Sequence, residues 1–261
     1  MARIEALYTS AIQKNFRPLF ANWEPGRDLK LGDYGVLSGK SLIYVGNVAD
    51  LGVTFEERVD PTKDQKSFTS EGSVDITTHA KGSVDAAGVK LAQASIDIEF
   101  SAKHAVYFNA AECSYCMIEN KAKLGDQIVE LFKAGKWERK WVIVTDLVRA
   151  GATTVVISGS SSASISLGAQ GDVPHVDLAN ADIKLSPKHE SNIGYKVIAE
   201  SGMVPLIGLG KVQRKFIFWG HSFEPLRARH VVPETVTVME DDPSIKTENN
   251  HDELYFGQLI D

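Results

Sequence analysis

Residues 153–167 read Thr153-Thr-Val-Val-Ile-Ser-Gly-Ser-Ser-Ser-Ala-Ser-Ile-Ser-Leu167, and their pattern decides the fold class. From position 155 onwards the odd positions are apolar or small, whereas every even position from 158 to 166 is serine. Successive side chains of a β-strand point to opposite faces, so this alternation is typical of strands. Residues 92–101 repeat it, with Ala, Ile and Phe on one face and Gln, Ser, Asp and Glu on the other. Both stretches therefore predict strands with one apolar and one polar face.

Strands of this kind occur in two environments. In a half-buried antiparallel sheet the apolar face packs on protein, whereas in a membrane-spanning sheet it faces hydrocarbon. The alternation alone leaves both environments open. In the second environment the residues that would face lipid are Ala92, Ala94, Ile96, Ile98, Phe100, Val155, Ile157, Ala163, Ile165 and Leu167.

The rest of the chain predicts two helices and further strands. Apolar residues recur at helical spacing in residues 4–12, before Pro18, and in residues 124–132, before Gly135. Residues 141–148 are nearly all apolar, which favours a strand buried on both faces. Short apolar segments divided by glycine or polar residues predict more strands in residues 29–47, 73–108, 176–185, 193–199, 211–219 and 231–239.

Four turns or loops are expected between these strands. Residues 73–108 should break at Lys81-Gly82 and at Ala87-Gly88. The second alternating stretch should turn either within residues 159–163 or at Gln170-Gly171. Residues 56–66 are charged and contain a proline, so we expect a loop there. The fold class that follows is α+β, with a twisted, mainly antiparallel sheet and a few peripheral helices.

Charge divides the chain into two parts. The 261 residues include 28 basic and 34 acidic ones, and residues 240–261 hold seven of the acidic and one of the basic residues. Residues 1–239 are therefore neutral, and we expect them to form one α+β domain that does not bind nucleic acid. Residues 240–261 are expected to be an acidic linker that ends in a short apolar tail. The start of the chain predicts an amphipathic helix rather than a signal segment, so we expect a cytoplasmic protein.

Enzymatic motifs are incomplete. The segment Gly35-Val-Leu-Ser-Gly-Lys-Ser41 ends like a phosphate-binding loop, but it leads into an apolar, strand-like segment, so we interpret it as a hairpin turn. The segment Gly220-His-Ser-Phe-Glu224 lacks the final glycine of a nucleophile elbow. The seven histidines show no metal-ligand spacing. We therefore expect no catalytic residue, no metal and no cofactor.

Cys113 and Cys116 form one CxxC motif. A structural zinc site would need two more ligands, and a redox motif would begin a helix. We interpret the pair as reduced cysteines packed at a junction between a strand and a helix.

The order of the elements resembles the pore-forming domain of gasdermins, particularly the short bacterial ones, over most of residues 1–219. The segments that carry the resemblance are Gly72-Ser-Val-Asp-Ile76 with Lys81-Gly82, Trp141-Val-Ile-Val-Thr145, and Ile193-Gly-Tyr-Lys-Val-Ile198 with Pro205-Leu206. Bacterial gasdermins often carry a lipid-modified cysteine near the N-terminus, whereas the first cysteine here is Cys113.

The resemblance implies a protein that a protease activates, in bacterial cell-death or antiviral defence. Residues 69–101 and 141–186 would extend into membrane strands of a homo-oligomeric pore, and the protein would move from the cytoplasm to the inner membrane. Arg3, Lys14 and Arg17 would bind anionic lipid. Until cleavage, the apolar tail would hold the protein inactive through Leu254, Tyr255, Phe256, Leu259 and Ile260. The alternative is a non-catalytic protein that binds a small ligand or belongs to an assembly, with a sheet that stays folded.

Overall fold

The computed structural model describes residues 4–84, 90–169, 185–214 and 254–259. Within these residues every strand pair is antiparallel, which confirms the predicted α+β class with a mainly antiparallel sheet. The helices are α1 (Ile4–Phe16), the short 3-10 helix η1 (Val48–Leu51) and α2 (Lys121–Lys133). The strands are β1 (Phe20–Ala21), β2 (Asp33–Ser38), β3 (Ser41–Asn47), β4 (Glu57–Thr69), β5 (Val74–Val84), β6 (Lys90–Phe100), β7 (Val106–Ile118), β8 (Trp141–Arg149), β9 (Ala152–Ser158), β10 (Ser164–Ala169), β11 (Leu185–Ser191), β12 (Ile193–Glu200), β13 (Leu206–Arg214) and β14 (Leu254–Gln258).

Ten strands form the main sheet, which is built around β7, β8 and β9. β8 pairs with the second half of β7 and β9 with its first half, and only Ala150 and Gly151 separate β8 from β9. On their other side, β8 pairs with β13 and β9 with β12. The hairpin of β2 and β3 extends the sheet beside β8, β4 pairs with β7, and both β1 and β14 pair with β13.

Four strands, in the order β11-β10-β6-β5, form a second sheet. β5 and β6 are a hairpin whose register runs from Val74 opposite Phe100 to Val84 opposite Lys90. The apolar face of this sheet packs on the main sheet and shares a core with Val156 of β9. Helix α1 covers the opposite face of the same part of the main sheet. β9 therefore lies between a helix and a sheet, and all seven of its residues are buried.

The predicted polar face is wrong for β9. Ser158 is only 1% exposed. Its hydroxyl accepts the Ala105 N–H at 2.9 Å and donates to the Ala102 carbonyl at 2.7 Å. A buried hydroxyl needs such partners, and the loop before β7 supplies them. In β10 the predicted alternation is confirmed, since Ile165 and Leu167 are buried while the intervening serine is partly exposed.

The second alternating stretch is divided between the two sheets. The predicted turn lies in residues 159–163, and it joins strands of two different sheets, since β9 and β10 do not pair with each other. A break at Lys81-Gly82 is also wrong, because both residues lie inside β5. Residues 57–66 belong to strand β4 rather than to a loop, because this edge strand accommodates its proline at a register shift between Asp60 and Asp64.

The predictions for α1, α2, β8, β12 and the β2–β3 hairpin are confirmed. α2 begins at the Asn120 cap, whose side chain accepts the Lys123 N–H, and Gly135 follows the helix with a φ of +70°. Leu124 and Ile128 bury this helix in a second core on the main sheet. The predicted break at Ala87-Gly88, the predicted strands in residues 176–184 and 231–239, and the part of the predicted strand beyond Arg214 lie outside the described residues.

Candidate functional site

The apolar tail adds a strand to the main sheet. β14 pairs with β13 from Leu254 opposite Arg214 to Gln258 opposite Gly210. Beyond the strand, the Leu259 N–H donates to the carbonyl of Leu209 at 2.8 Å, and Leu259 is only 7% exposed. Pairing of this kind satisfies backbone groups that a frayed end would leave to water. Residues 254–259 thus dock on the main sheet as an added strand.

Two glycines form the slot that holds Phe256. A Cβ atom on Gly125 of α2 would lie 2.7 Å from the Cβ of Phe256, and a Cβ on Gly210 of β13 would overlap the ring itself. A glycine inside a helix costs about 1 kcal/mol relative to alanine. Close approach of the Phe256 ring is a physical reason for accepting that cost at Gly125. We call the space between Gly125 and Gly210 the Phe256 slot.

An ion pair links α2, which carries Gly125 of the slot, to the main sheet. Lys121 Nζ lies 2.6 Å and 2.7 Å from the two carboxylate oxygens of Asp146 on β8. The Thr145 hydroxyl also donates to Asp146 Oδ2 at 2.8 Å. Asp146 is 18% exposed, so solvent screens this pair less than a fully exposed one, and removing Lys121 would leave a partly buried charge without its partner. α2 is thus attached to the main sheet by a contact that does not involve the tail.

Most of the predicted lipid-facing residues share one surface. Seven of them are at most 3% exposed and belong to the core between the second sheet and the main sheet: Ala94, Ile96, Ile98, Phe100, Ala163, Ile165 and Leu167. Val155 and Ile157 instead belong to β9 and pack in the core beneath α1. The side chain of Ala92 lies outside the described part of the chain.

Ile76, which is not among the predicted lipid-facing residues, extends this apolar surface to the edge of the second sheet. Ile76 on β5 is the register partner of Ile98, so the two side chains share a face, yet Ile76 is 45% exposed. The signal for it is weak, because two threonines follow Ile76 and blur the alternation of β5.

Two of the three predicted lipid-binding residues lie at the C-terminal end of α1 or directly after it. Lys14 and Arg17 are exposed, whereas Tyr8 and Ile12 on the opposite side of the helix are fully buried. Arg3 lies outside the described residues. Of the predicted autoinhibitory residues, Ile260 and the side chains of Leu254 and Tyr255 also lie outside them.

A polar cluster lies where β4 pairs with β7. The Tyr115 hydroxyl donates to Asp64 Oδ2 at 2.7 Å, and Lys66 Nζ lies 2.9 Å from the same oxygen. Burial alone would raise the pKa of Asp64, but the hydrogen bonds from Lys66 and Tyr115 lower it overall. The carboxylate is therefore charged and held through Oδ2, which suits an ion pair that supports the sheet better than a general base.

Cys113 and Cys116 are both free and buried within β7, and Cys116 lies two residues before the end of this strand. The interpretation as unbonded, packed cysteines is confirmed, but both lie inside the strand rather than at its junction with a helix. Burial raises the pKa of the Cys113 thiol to about 11. The thiolate is the reactive form of cysteine, so Cys113 is poorly suited to redox chemistry at neutral pH.

We expect Cys113 to resist alkylation in the folded protein. Treatment with iodoacetamide at pH 8, followed by peptide mass analysis, should leave Cys113 unmodified until a denaturant is added. The same treatment after unfolding serves as the control, since an exposed thiol with an ordinary pKa of about 8.5 reacts readily. Rapid labelling of Cys113 in the native protein would contradict its burial.

Other chemistry finds little support in the described part of the chain. The predicted turn at Gly39-Lys40 is confirmed, since it joins β2 to β3 as a hairpin. Among the residues that the structure describes, no three His, Cys, Asp or Glu side chains are grouped to hold a metal ion. The Gly220–Glu224 segment lies outside these residues. In the same part of the chain, every helix is too short or too polar to span a bilayer.

Comparison of the chain with protein-family models, with curated proteins and with solved structures gives no match.

Proposed function

We propose that this protein is a gasdermin-like, membrane-permeabilising protein that its C-terminal strand holds inactive. A protease that cuts within residues 240–253 would activate it, and the active form would be a homo-oligomer at the inner membrane in bacterial defence. The observation that carries the proposal is the Phe256 slot. One aromatic ring of the tail packs between two glycines on different elements. The acidic segment proposed as the cleavage region directly precedes the tail in the sequence.

The docked strand can bias the protein towards its closed form. Full burial of two large apolar side chains contributes about 3–6 kcal/mol before ordering costs, which is an upper bound for Leu259, which is buried, and Phe256, which is partly buried. A bias of that size changes the ratio of closed to open forms by roughly a hundredfold or more. Cutting the connection removes the high effective concentration that the covalent link provides, so the short strand can dissociate.

The second sheet provides the segments that would enter the membrane. β5 and β6 have eleven residues each, and about nine to eleven tilted residues cross the hydrocarbon. The hairpin keeps its own ladder of backbone hydrogen bonds while its apolar face moves from the main sheet to lipid. Backbone groups that stay paired can enter hydrocarbon at low cost.

Leakage of a dye from liposomes tests this function. A cleavage site for a specific protease is placed in residues 240–253, and the uncut and cut proteins are added to liposomes that contain anionic lipid. We expect the uncut protein to be inert and the cut protein to release the dye and to form oligomers. The unmodified chain treated with the same protease is the control. A cut protein that remains monomeric and leaves the dye inside contradicts the proposal.

We expect Lys14 and Arg17 to strengthen binding of the cut protein to anionic lipid. Each basic residue near such a surface contributes about 1 kcal/mol, so changing both to glutamine should weaken binding roughly thirtyfold at low salt. The difference should shrink at physiological ionic strength, where the Debye length is about 8 Å. Lys133→Gln with Lys136→Gln, both exposed near the end of α2, is the matched control. Equal losses from both pairs would argue against a role of α1.

A cleft favours the alternative of a small-ligand-binding protein. It has a volume of about 530 Å³ and lies between the loop after β1, β11 and β12. Its lining includes the side chains of Tyr195, Ile198, Leu185, Met203 and Glu24. Small-molecule sites have about 300–1,000 Å³ and combine apolar walls with a few polar groups. A small-molecule screen by ligand-observed NMR, with binding lost in Tyr195→Ala while the cut protein stays inert on liposomes, would favour this alternative.

A further inference from the structure

Strand β3 is an edge of the main sheet with an unusual surface. It pairs with β2, and the described residues place no further strand on its other side. Three consecutive apolar residues of β3 are exposed: Ile43 by 54%, Tyr44 by 44% and Val45 by 47%. Ile43 and Tyr44 pair in regular register and point to opposite faces, so both faces of β3 are exposed there. A register shift follows, since Gly46 pairs with Tyr34 and Tyr44 with Gly35, which leaves Val45 without a partner in β2.

β3 lacks the residues with which proteins protect sheet edges. The segment Ser41-Leu-Ile-Tyr-Val-Gly-Asn47 contains no charged residue and no proline. The edge strand β4 is different, because it carries Pro61 and six charged residues. Charges and proline on an edge prevent pairing with another chain. β4 is thus protected by charges and proline, whereas along the edge of β3 the described residues place only the register shift at Val45 and the Arg27 side chain at Leu42.

The backbone of β3 offers hydrogen-bonding groups at this edge. The two-residue turn at Gly39-Lys40 makes Ser38 and Ser41 a hydrogen-bonded pair, and bonding alternates along an antiparallel ladder. The backbone groups of Leu42 and Tyr44 therefore point away from β2. The Leu42 carbonyl does so, since it accepts a hydrogen bond of 3.1 Å from Arg27 Nη1. Tyr44 is the next residue whose backbone faces this edge.

We propose that β3 pairs antiparallel with β3 of a second copy of this chain. An uncharged strand can meet its own copy without repulsion. Pairing centred on Tyr44 places Ser41 of one copy opposite Asn47 of the other, so Lys40 of one copy and the exposed Asp50 of the other flank each end of the paired strands. The exposed apolar side chains fit a membrane surface less well, because hydrocarbon would leave the backbone groups of the edge unpaired.

The pairing is independent of cleavage and of the proposed membrane activity. Two short strands bury much less surface than the about 1,200–2,000 Å² of stable complexes, so this dimer is weak. Sedimentation velocity of the uncut chain over about 5–300 µM should show a reversible dimer at the higher concentrations.

Charge variants of Ile43 test the pairing. Ile43→Lys and Ile43→Glu place like charges near each other across the two copies, so each variant alone should dimerise at least tenfold more weakly. An equimolar mixture of the two should restore the dimer, which a folding defect could not do. Val59→Lys, at an apolar residue of β4 that is 58% exposed, is the matched control and should leave the dimer unchanged. Tyr44→Pro removes one N–H from the free edge and should also give a monomer, with circular dichroism as the check on folding.

A monomer at every concentration would overturn the proposal, as would Ile43→Lys dimerising like the parent chain. Variants of Ile43 that lose vesicle binding without any change in sedimentation would overturn it in favour of a membrane surface.

Discussion

Replacing Gly125 with alanine or Gly210 with valine should make the uncut protein permeabilise liposomes. Each new side chain occupies the Phe256 slot and displaces the ring, although no residue of the tail itself is substituted. Alanine also improves the intrinsic stability of α2 by about 1 kcal/mol, so an activated Gly125→Ala variant could not be explained by a weaker helix. We expect dye release without protease, at a rate close to that of the cut protein.

Controls separate loss of docking from damage to the fold. Ala122→Val adds volume on an exposed position of the same helix and should leave the protein inert. Phe256→Asp removes the ring from the other side of the contact and should activate as strongly as the glycine variants. Hydrogen exchange should show loss of protection in residues 254–259 of each active variant. A Gly210→Val protein that loses this protection and still does not leak would separate docking from inhibition.

Ile76→Lys should abolish leakage by the cut protein while leaving the soluble protein folded. Ile76 is 45% exposed before activation, so a lysine there costs little in the closed form. In the proposed membrane form its side chain faces lipid beside Ile98, where a lysine costs about 2–4 kcal/mol near the bilayer centre and less towards the interface. That cost recurs in every subunit of an oligomer, so even the smaller value should suppress dye release by at least tenfold.

Thr77→Lys is the matched control for this experiment. Thr77 is adjacent to Ile76 and exposed on the polar face of β5, where it is the register partner of Asp97. A lysine there faces an opposite charge and water in both forms, so leakage should be nearly unchanged. The thermal unfolding temperature of both variants in solution is the check on folding. Equal leakage from the two variants would contradict the assignment of this face to lipid.

The alternation in the sequence predicts β6 and β10 of the second sheet well, because each of these strands packs on protein with one face only. It fails for β9, where α1 covers one face and the second sheet covers the other. The serine that indicates a solvent face, Ser158, is instead satisfied by the backbone of the loop before β7. Burial on two faces depends on which elements stack, and no local pattern encodes stacking.

The candidate site was predicted in part. The apolar composition of residues 254–260 indicates docking, but the slot depends on elements far apart in the sequence. Gly125, Gly210 and Phe256 meet only once α2 and β14 have packed on β13. The one local signal is a glycine in the interior of a predicted helix, which often marks a close approach of another element. The charge and proline of residues 56–66 likewise indicate a loop, whereas pairing with β7 makes this segment a strand.

A disulfide between β13 and β14 tests the central claim most directly. Lys211 and Gly257 are register partners, so cysteines at both positions can tie the tail to its groove, while the native Cys113 and Cys116 are buried. This variant, with a cleavage site in residues 240–253, is oxidised, cut and added to dye-filled liposomes before and after a reductant is supplied. We expect no leakage from the oxidised, cut protein and rapid leakage once the disulfide is reduced. Equal leakage in the two states would show that the docked strand does not restrain the protein.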